Sequence, residues 1–551
     1  MVGPQISWTG KVGHSPPPTT THGALLSSIL FDRAASSKTA VVCADRGVSL
    51  SCAEAALIAT DLAAALRQKS IEPRDLVAIL LPTSIEFVAA FFGALRADAV
   101  VMPLDIHLKR ADLLNIIRMT RPRVLMTNAG LCRKIGSKLG ATTVCLVEFG
   151  GSGPEFDSSI SVSFPEPDPA AGRGPGGKDR AEPARTSLLV RPTSPEDDAV
   201  FILSSGSTGL PKVVRLSHRA ILQNIRMHWE SLEIDEDIRG LQLLPLNYSY
   251  GLIASFLSIL QSGGTVVLLS TAEPRSVLAA LEKYEVNLLM GTPALFQYLI
   301  EKSPVVSALG ASPVRYLTVG GDRCKRYALD LIRDRLPAAR VYLTYGLTEA
   351  GPRVSTLPPQ WVSRFPQSVG FPLKGVEVFI QDSSGRRRGL DEPGEIVLKT
   401  PSLMNGYLGD PERTRTVIRN GLCHTGDLGY LDDRGILYCL GRKDRQFKFG
   451  GRLVNPALIE QCLSAHPQVQ EVAVMKIDKE REEMICARVK AGNVRRDELL
   501  PELKRLCRKQ MPSYLIPGEF RFEDHDNYYH KGKILDPNRE PLPEETVGSQ
   551  L

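Results

Sequence analysis

The chain of 551 residues is too long for a single hydrophobic core and points to at least two domains. A composition of 43% hydrophobic and 23% charged residues is that of a soluble globular protein, and a net charge of +6 with no Lys/Arg run gives no sign of a nucleic-acid partner. Ten cysteines stand singly from Cys43 to Cys507 without any Cys-x-x-Cys pair, which argues against a zinc site or a disulfide framework and fits a reducing, cytoplasmic setting.

Residues 1–22 contain Pro16-Pro17-Pro18 and no apolar core of a secretory signal, so they read as a flexible N-terminus. Apolar strand-like runs alternate with helical patterns through most of the first 380 residues, and the large domain is taken to span residues 23–443. Leu76 to Leu81 is followed by a helical stretch from Ser84 to Ala97; Val124 to Met126, Val144 to Val147, Thr265 to Leu269 and Val314 to Val319 repeat the theme. This alternation predicts an α/β fold, with a large N-terminal domain of mixed, mostly parallel sheets flanked by helices. Residues 150–196 break it: rich in Gly, Pro, Ser and Asp, they read as a disordered insertion. Inside them Gly172, Gly177 and Lys178 approach a Walker A spacing, but Asp179 replaces the Ser/Thr and no strand precedes, so the segment is read as linker. The longest apolar runs, such as Leu252 to Leu260, are too short to span a bilayer.

A second boundary falls near Asp444. Beyond it the pattern predicts a basic hairpin (Lys448 to Arg452), a helix (Pro456 to His466), a strand (Glu471 to Lys476) and a helix (Arg496 to Lys509). Residues 444–540 are enough for a small α+β domain, with 541–551 left as a tail.

The richest stretch in chemistry follows the apolar run Ala199 to Leu203. Ser204, Ser205, Gly206, Ser207, Thr208, Gly209, Leu210, Pro211 and Lys212 combine hydroxyl donors, glycines that can turn N–H groups toward an anion, and one cation. Such a loop at the end of a buried strand can wrap a polyphosphate, though no Gly-Lys-Ser/Thr follows as in a Walker A loop. Further blocks are Thr344-Tyr345-Gly346-Leu347-Thr348-Glu349, Gly394-Glu395-Ile396 leading to Gly406-Tyr407, His424-Thr425-Gly426-Asp427-Leu428, Gly441-Arg442-Lys443-Asp444 and Lys531-Gly532-Lys533. In order and spacing these blocks resemble the adenylate-forming superfamily, which includes acyl- and aryl-coenzyme A synthetases, firefly luciferase and the adenylation domains of peptide synthetases. The resemblance runs from about residue 47 to 536.

That resemblance implies a set of roles. The loop from Ser204 to Lys212 would hold the β- and γ-phosphates of ATP, with Val213 standing where the family usually has glycine. Thr348 and Glu349 would serve catalysis, Glu349 as the ligand of Mg²⁺, a cation that prefers hard oxygen donors. Tyr345 beside Gly320, Gly321 and Gly346 would pack on adenine, Asp427 would hold the ribose, and Arg442 would reach the ribose or a phosphate. Lys533 would bridge carboxylate and α-phosphate during adenylation, with Lys531 as a competing candidate. Asp444 aligns with a hinge about which the small, mobile C-terminal domain turns, bringing in Lys448, Gly450 and Gly451 for the second half-reaction.

The acid itself is constrained by Pro245 to Leu252. Peptide synthetases place an aspartate where this chain has Tyr250, so no carboxylate is available for a substrate ammonium. The block is similar to that of acyl- and aryl-coenzyme A ligases, with Tyr248 in place of their histidine, and the pocket would draw on Tyr248, Tyr250, Thr292, Gly320 and Gly346. A fatty, aryl or other non-amino acid is therefore expected, with coenzyme A as thiol acceptor or, as the alternative, the phosphopantetheine arm of a separate carrier protein. Readings from other classes are an inactive nucleotide-binding relative, against which Lys212, Glu349, Asp427 and Lys533 stand, and a luciferase-like oxygenase.

Overall fold

In the computed structural model, the apolar runs are strands buried on both faces. The structure describes residues 25–135, 139, 142–149, 160–163, 193–204, 211–234, 237–301, 313–449, 452–479, 482–492, 494–522, 529–530 and 533–534. The expected flexible N-terminus, the Walker-like segment and the C-terminal tail lie outside them.

Two large sheets form the N-terminal part. The nine-stranded sheet runs, edge to edge, Phe371–Pro372, Ser355–Leu357, Arg340–Tyr345, Tyr316–Val319, Leu288–Gly291, Arg239–Gln242, Thr265–Leu268, Thr39–Cys43 and Val48–Ser51. Its central strands are parallel and its outer pairings antiparallel. The eight-stranded sheet runs Gly406–Tyr407, Lys212–Ser217, Asp198–Ser204, Val100–Pro103, Leu76–Leu80, Val124–Thr127, Thr143–Phe149 and Ile160–Ser163. Ile160–Ser163 lies inside the stretch read from composition as a loose insertion, and pairs antiparallel with Thr143–Phe149. Four residues suffice because the edge of an existing sheet supplies the hydrogen-bond partners.

Side-chain alternation explains why the runs read as continuously apolar. Val77 and Ile79 enter one core while Ala78 and Leu80 enter another; Val266 and Leu268 likewise part from Val267 and Leu269. The shared core between the sheets is filled by the helices Cys52–Gln68 and Ile85–Arg96, in which Phe91 and Phe92 meet edge to face at 5.3 Å. Both helices begin at a serine whose side chain accepts a backbone N–H, Ser51 with Glu54 completing a capping box and Ser84 alone. A five-stranded antiparallel sheet from Glu377–Gln381 to Leu437–Arg442 adds a third layer over Ala350 and Val354.

Residues after Phe447 build a separate core. The helices Pro456–Ser464 and Arg496–Gln510 pack Ile459, Leu463, Leu499 and Leu503 on a three-stranded sheet of Val469–Lys479, Glu482–Ala491 and Glu519–Phe522. The Asn455 side-chain amide donates to the Leu440 carbonyl at 3.2 Å, tying this unit to the preceding strand. Among the described residues no helix is long and apolar enough to cross a membrane.

The helix His218–Leu232 follows directly on the strand Lys212–Ser217, which leaves the Gly/Ser loop. Its first residue is buried, and His218 Nδ1 accepts the Leu26 N–H at 3.0 Å. Burial pushes the imidazole from 6.5 down to about 4, although Asp197, Asp98 and Asp198 pull the other way. A depressed folded-state value means that the unfolded chain takes up the proton first as pH falls. The stability held by neutral His218, about 3 kcal/mol, is complete above pH 6.5 and drains away between pH 6.5 and 4. Thermal unfolding across that window should therefore fall less steeply for His218→Gln than for the unsubstituted protein, and parallel curves would show that His218 does not control the loss.

Candidate functional site

Ser204 and Lys212 are cross-strand partners at the mouth of the Gly/Ser loop, where Asp198–Ser204 pairs antiparallel with Lys212–Ser217. Ser205, Gly206, Ser207, Thr208 and Gly209 lie outside the described residues. The Ser204 hydroxyl is buried and has no hydrogen-bond partner among the described residues. Lys212 Nζ stands 5.5 Å from the centroid of the Tyr407 ring. Burial, followed by the neighbouring Arg413, pulls the lysine below its ordinary value, with Glu349 opposing. A half-desolvated ammonium beside a second cation is a place where an incoming anion is favoured.

Glu349 sits in the turn after Arg340–Tyr345, and its Oε1 accepts the Tyr407 hydroxyl at 2.8 Å. The Tyr407 phenol is held far above its usual range by burial first and by Glu349 second, so it remains a donor. Thr348 Oγ1 lies 2.8 Å from Ser249 Oγ. Lys212, Tyr407, Glu349, Thr348 and Ser249 thus form one continuous chain of contacts, drawn from both large sheets. The oxygen donors here, the Glu349 carboxylate and the Thr348 hydroxyl, suit Mg²⁺, which binds through one or two carboxylates and otherwise through waters and phosphates. No group of three or more His, Cys, Asp or Glu capable of holding a metal occurs among the described residues.

A second set of contacts adjoins the first. The Tyr345 hydroxyl donates to Asp427 Oδ2 at 2.6 Å, and Arg442 reaches Asp427 Oδ1 at 3.4 Å. Burial raises the Asp427 carboxyl above its ordinary value while Tyr345 and Arg442 act against that rise. Arg442 also donates to the Thr425 carbonyl at 2.9 Å and lies 3.4 Å from Asp444, in the short turn Lys443–Arg445.

The residues expected to line an acid pocket divide. Gly321 has φ +80°, and a Cβ there would meet Tyr250 at 3.3 Å and Thr292 at 3.4 Å, so these three are brought together. Tyr250 donates its hydroxyl toward the Thr318 and Gly291 carbonyls, at 3.0 and 3.2 Å. A Cβ on Gly346 would fall 2.2 Å from the Pro352 carbonyl, so only glycine allows the loop to fold back there. Gly320 is pressed just as closely on Thr344. Tyr248 stands apart: it is 38% exposed, near Asp105.

Lys448 is exposed on the hairpin of Phe447–Phe449 and Arg452–Val454, while Gly450 and Gly451 fall outside the described residues. Lys533 lies in a two-residue strand paired with Tyr529–His530, and Lys531 is outside the described residues. Sequence reasoning assigned no role to Tyr407, Arg413, Ser249 or Arg353. Tyr407 was visible as part of the Gly406-Tyr407 block, and only its contact with Glu349 was hidden.

A loop-mouth lysine, a turn carboxylate and a Tyr345–Asp427–Arg442 set, of which Asp427 is buried, are thus brought together from separate sheets. The chain belongs to the AMP-binding enzyme family: the family model matches residues 31–408, and the model of the family's C-terminal domain matches 458–533. It is 28% identical over 493 residues to a 4-coumarate–CoA ligase of Pinus taeda, covering 88% of each chain. A feruloyl-CoA synthase of Amycolatopsis sp is 29% identical over 498 residues, covering 89% of this chain and 93% of that one. Among solved structures, ATP-bound MatB from Rhodopseudomonas palustris superposes with a TM-score of 0.75 at 24% identity, covering 93% of this chain and 97% of that one. The o-succinylbenzoate CoA synthetase MenE from Bacillus subtilis, in complex with its acyl-adenylate intermediate, gives 0.72 at 24% identity, covering 90% and 94%. These likenesses carry the expected fold: a large part of mixed, mostly parallel sheets and helices, followed by a smaller α+β part.

Tyr407→Phe removes the hydroxyl that holds Glu349 and leaves the ring beside Lys212 in place. Affinity for MgATP should fall about tenfold, the worth of one hydrogen bond to a charged group, with little change in unfolding temperature. Unchanged affinity in a calorimetric titration would show that Glu349 is set without Tyr407.

Proposed function

We propose that this chain is an ATP-dependent ligase joining a carboxylic acid to the thiol of coenzyme A. In the first step a carboxylate oxygen bonds to the α-phosphorus of ATP and the bond to pyrophosphate breaks. In the second the thiol sulfur bonds to the acyl carbon, AMP departs with the C–O electron pair, and the thiol proton passes to solvent. The observation that carries this reading is the unbroken run Lys212–Tyr407–Glu349–Thr348, lying beside Tyr345–Asp427–Arg442. The names of the relatives, CoA ligases and a CoA synthase acting on aryl acids, support the acceptor and the acid class.

Each residue has a part in this scheme. Ser204 and Lys212 hold the outer phosphates; Asp427 accepts the ribose hydroxyls, with Arg442 steadying its charge; Tyr345 presents its ring to adenine. Magnesium, when bound, neutralises phosphate charge next to Glu349. Lys533 supplies the cation needed when two anions meet, and the turn at Asp444 is where the small C-terminal domain swings between half-reactions. Tyr250 engages backbone carbonyls and offers no negative charge to a substrate ammonium, which favours a fatty, aryl or other non-amino acid.

Pyrophosphate release measured across fatty, aryl and amino acids, with and without coenzyme A, tests the reading directly; amino acids as the best substrates, or no dependence of thioester on coenzyme A, would overturn it. Lys533→Ala should lower acyl-adenylate formation by about two to three orders of magnitude while presynthesised acyl-adenylate and coenzyme A still give thioester. A larger loss in Lys531→Ala would exchange the two lysines. Asp444→Pro, which fixes φ near about −65°, should do the reverse, sparing pyrophosphate exchange and abolishing thioester formation. Equal loss of both steps in a folded Asp444→Pro protein would remove the hinge.

A further inference from the structure

Arg353 is the bulkiest of the fully buried side chains, 1% exposed, and it forms no ion pair among the described residues. Its Nη1 donates to the Pro352 carbonyl at 2.9 Å. Nε and Nη2 are buried without an acceptor among the described residues. These two nitrogens form one edge of the guanidinium, the edge whose parallel N–H groups match the two oxygens of a carboxylate. The group cannot escape its burial by losing a proton, because a guanidinium stays charged throughout the accessible pH range. The face of the guanidinium lies 3.9 Å from the centroid of the Tyr250 ring, which fixes its plane.

The surroundings confirm that the charge is not answered from within. Asn224 Nδ2 donates to the Arg353 carbonyl at 2.8 Å, leaving Asn224 Oδ1 buried without a partner among the described residues. Burial, then the charge of Arg353, holds His228 neutral against a backbone hydrogen bond at Ala254, so the ring adds no compensating or competing charge. Unanswered polar atoms on two neighbouring side chains are a feature a folded chain rarely keeps without a ligand.

Its place in the fold is next to the turn that carries Thr348 and Glu349. The Val354 N–H donates to the Tyr345 carbonyl at 2.7 Å, and Gly346 is pressed against Pro352, so the loop doubles back and sets Arg353 beside that turn. Tyr250, on which the guanidinium rests, is also the ring that meets Gly321 beside Thr292.

We propose that Arg353 is the receptor for a second carboxylate on the substrate, so that the acid this enzyme activates is a dicarboxylic acid whose distal carboxylate pairs with the open Nε and Nη2 edge. The proposal rests on the ligase reading above and narrows its substrate class. The reacting carboxylate lies toward Thr348 and Glu349, and the distal one, held across Tyr250, sets the length of the acid.

Matched pairs test it on the full chain: hexanoate against adipate, and cinnamate against 4-carboxycinnamate, read as pyrophosphate release with coenzyme A present. At least one dicarboxylate should exceed its monocarboxylate partner in kcat/KM by about a hundredfold or more, because the site's donors are left bare by the shorter partner. Arg353→Met should erase that preference, chiefly through KM, while monocarboxylate turnover holds or rises; Arg353→Lys should keep part of it. Should Arg353→Met fail to fold, the unsubstituted pairs and Arg353→Lys decide alone. Monocarboxylates favoured by the unsubstituted enzyme, or equal loss on both acids in a folded Arg353→Met, would overturn the proposal and leave the ligase reading standing. Absence of pyrophosphate release with every acid, despite MgATP binding, would overturn the ligase reading itself.

Discussion

The turn from Tyr345 to Val354 is where the three sheets of the large part meet, and the site exists because that turn is held from every side. Tyr345 ends a strand of the nine-stranded sheet, and its hydroxyl reaches Asp427 on the antiparallel sheet. Glu349 is bound to Tyr407, on the last strand of the eight-stranded sheet, while its carbonyl accepts the Met404 N–H at 3.0 Å. Ser402 Oγ donates to the Ala350 carbonyl at 2.7 Å. A segment tied to three separate sheets cannot drift independently of any of them, so the distance between the Lys212 strand and Asp427 is set by the fold rather than by a flexible loop.

Electrostatics follow from that geometry. Lys212, Arg413 and Arg442 lie within reach of one another's fields, and the carboxylates among them, Glu349, Asp427 and Asp444, are each already engaged by a hydroxyl or a guanidinium. Like charges gathered in a partly buried space raise one another's free energy until an anion arrives. Burial first, then Arg413 and Arg442, lowers Lys212 below its ordinary value, with Glu349 and Asp444 opposing. Arg353 extends the same logic to a fully buried position, out of reach of bulk solvent.

Much of this architecture could be read in the sequence for a physical reason. Strands buried on two faces must be apolar at every position, so Leu76 to Leu81 and Thr265 to Leu269 stand out, and serine caps such as Ser84 mark where helices begin. Ile160–Ser163 escaped because one short alternating run is lost among Gly and Pro, and its partner strand is not adjacent to it in pattern. The blocks around Glu349 and Asp427 were visible as local signatures. Their mutual contacts were not, since Tyr407 and Glu349 are 58 residues apart and Tyr345 and Asp427 are 82 apart. Arg353 gave no signal at all. In a loop flanked by Gly and Pro an arginine reads as solvated, and only the fold-back of Gly346 on Pro352 buries it.

Arg442 stands where the antiparallel sheet gives way to the C-terminal unit. It lies between Asp427 and Asp444, with both carboxylates 3.4 Å from its guanidinium nitrogens. Asp444 belongs to the turn Lys443–Arg445, immediately before the first hairpin of the separate core. Lys443 in the same turn binds Glu395 at 3.0 Å, so this turn is pinned on the large part by a pair of exposed ionic contacts. Contacts of that kind are worth little individually and are weakened by salt. The buried Asp427 and the turn that leads into the C-terminal unit thus share a single guanidinium.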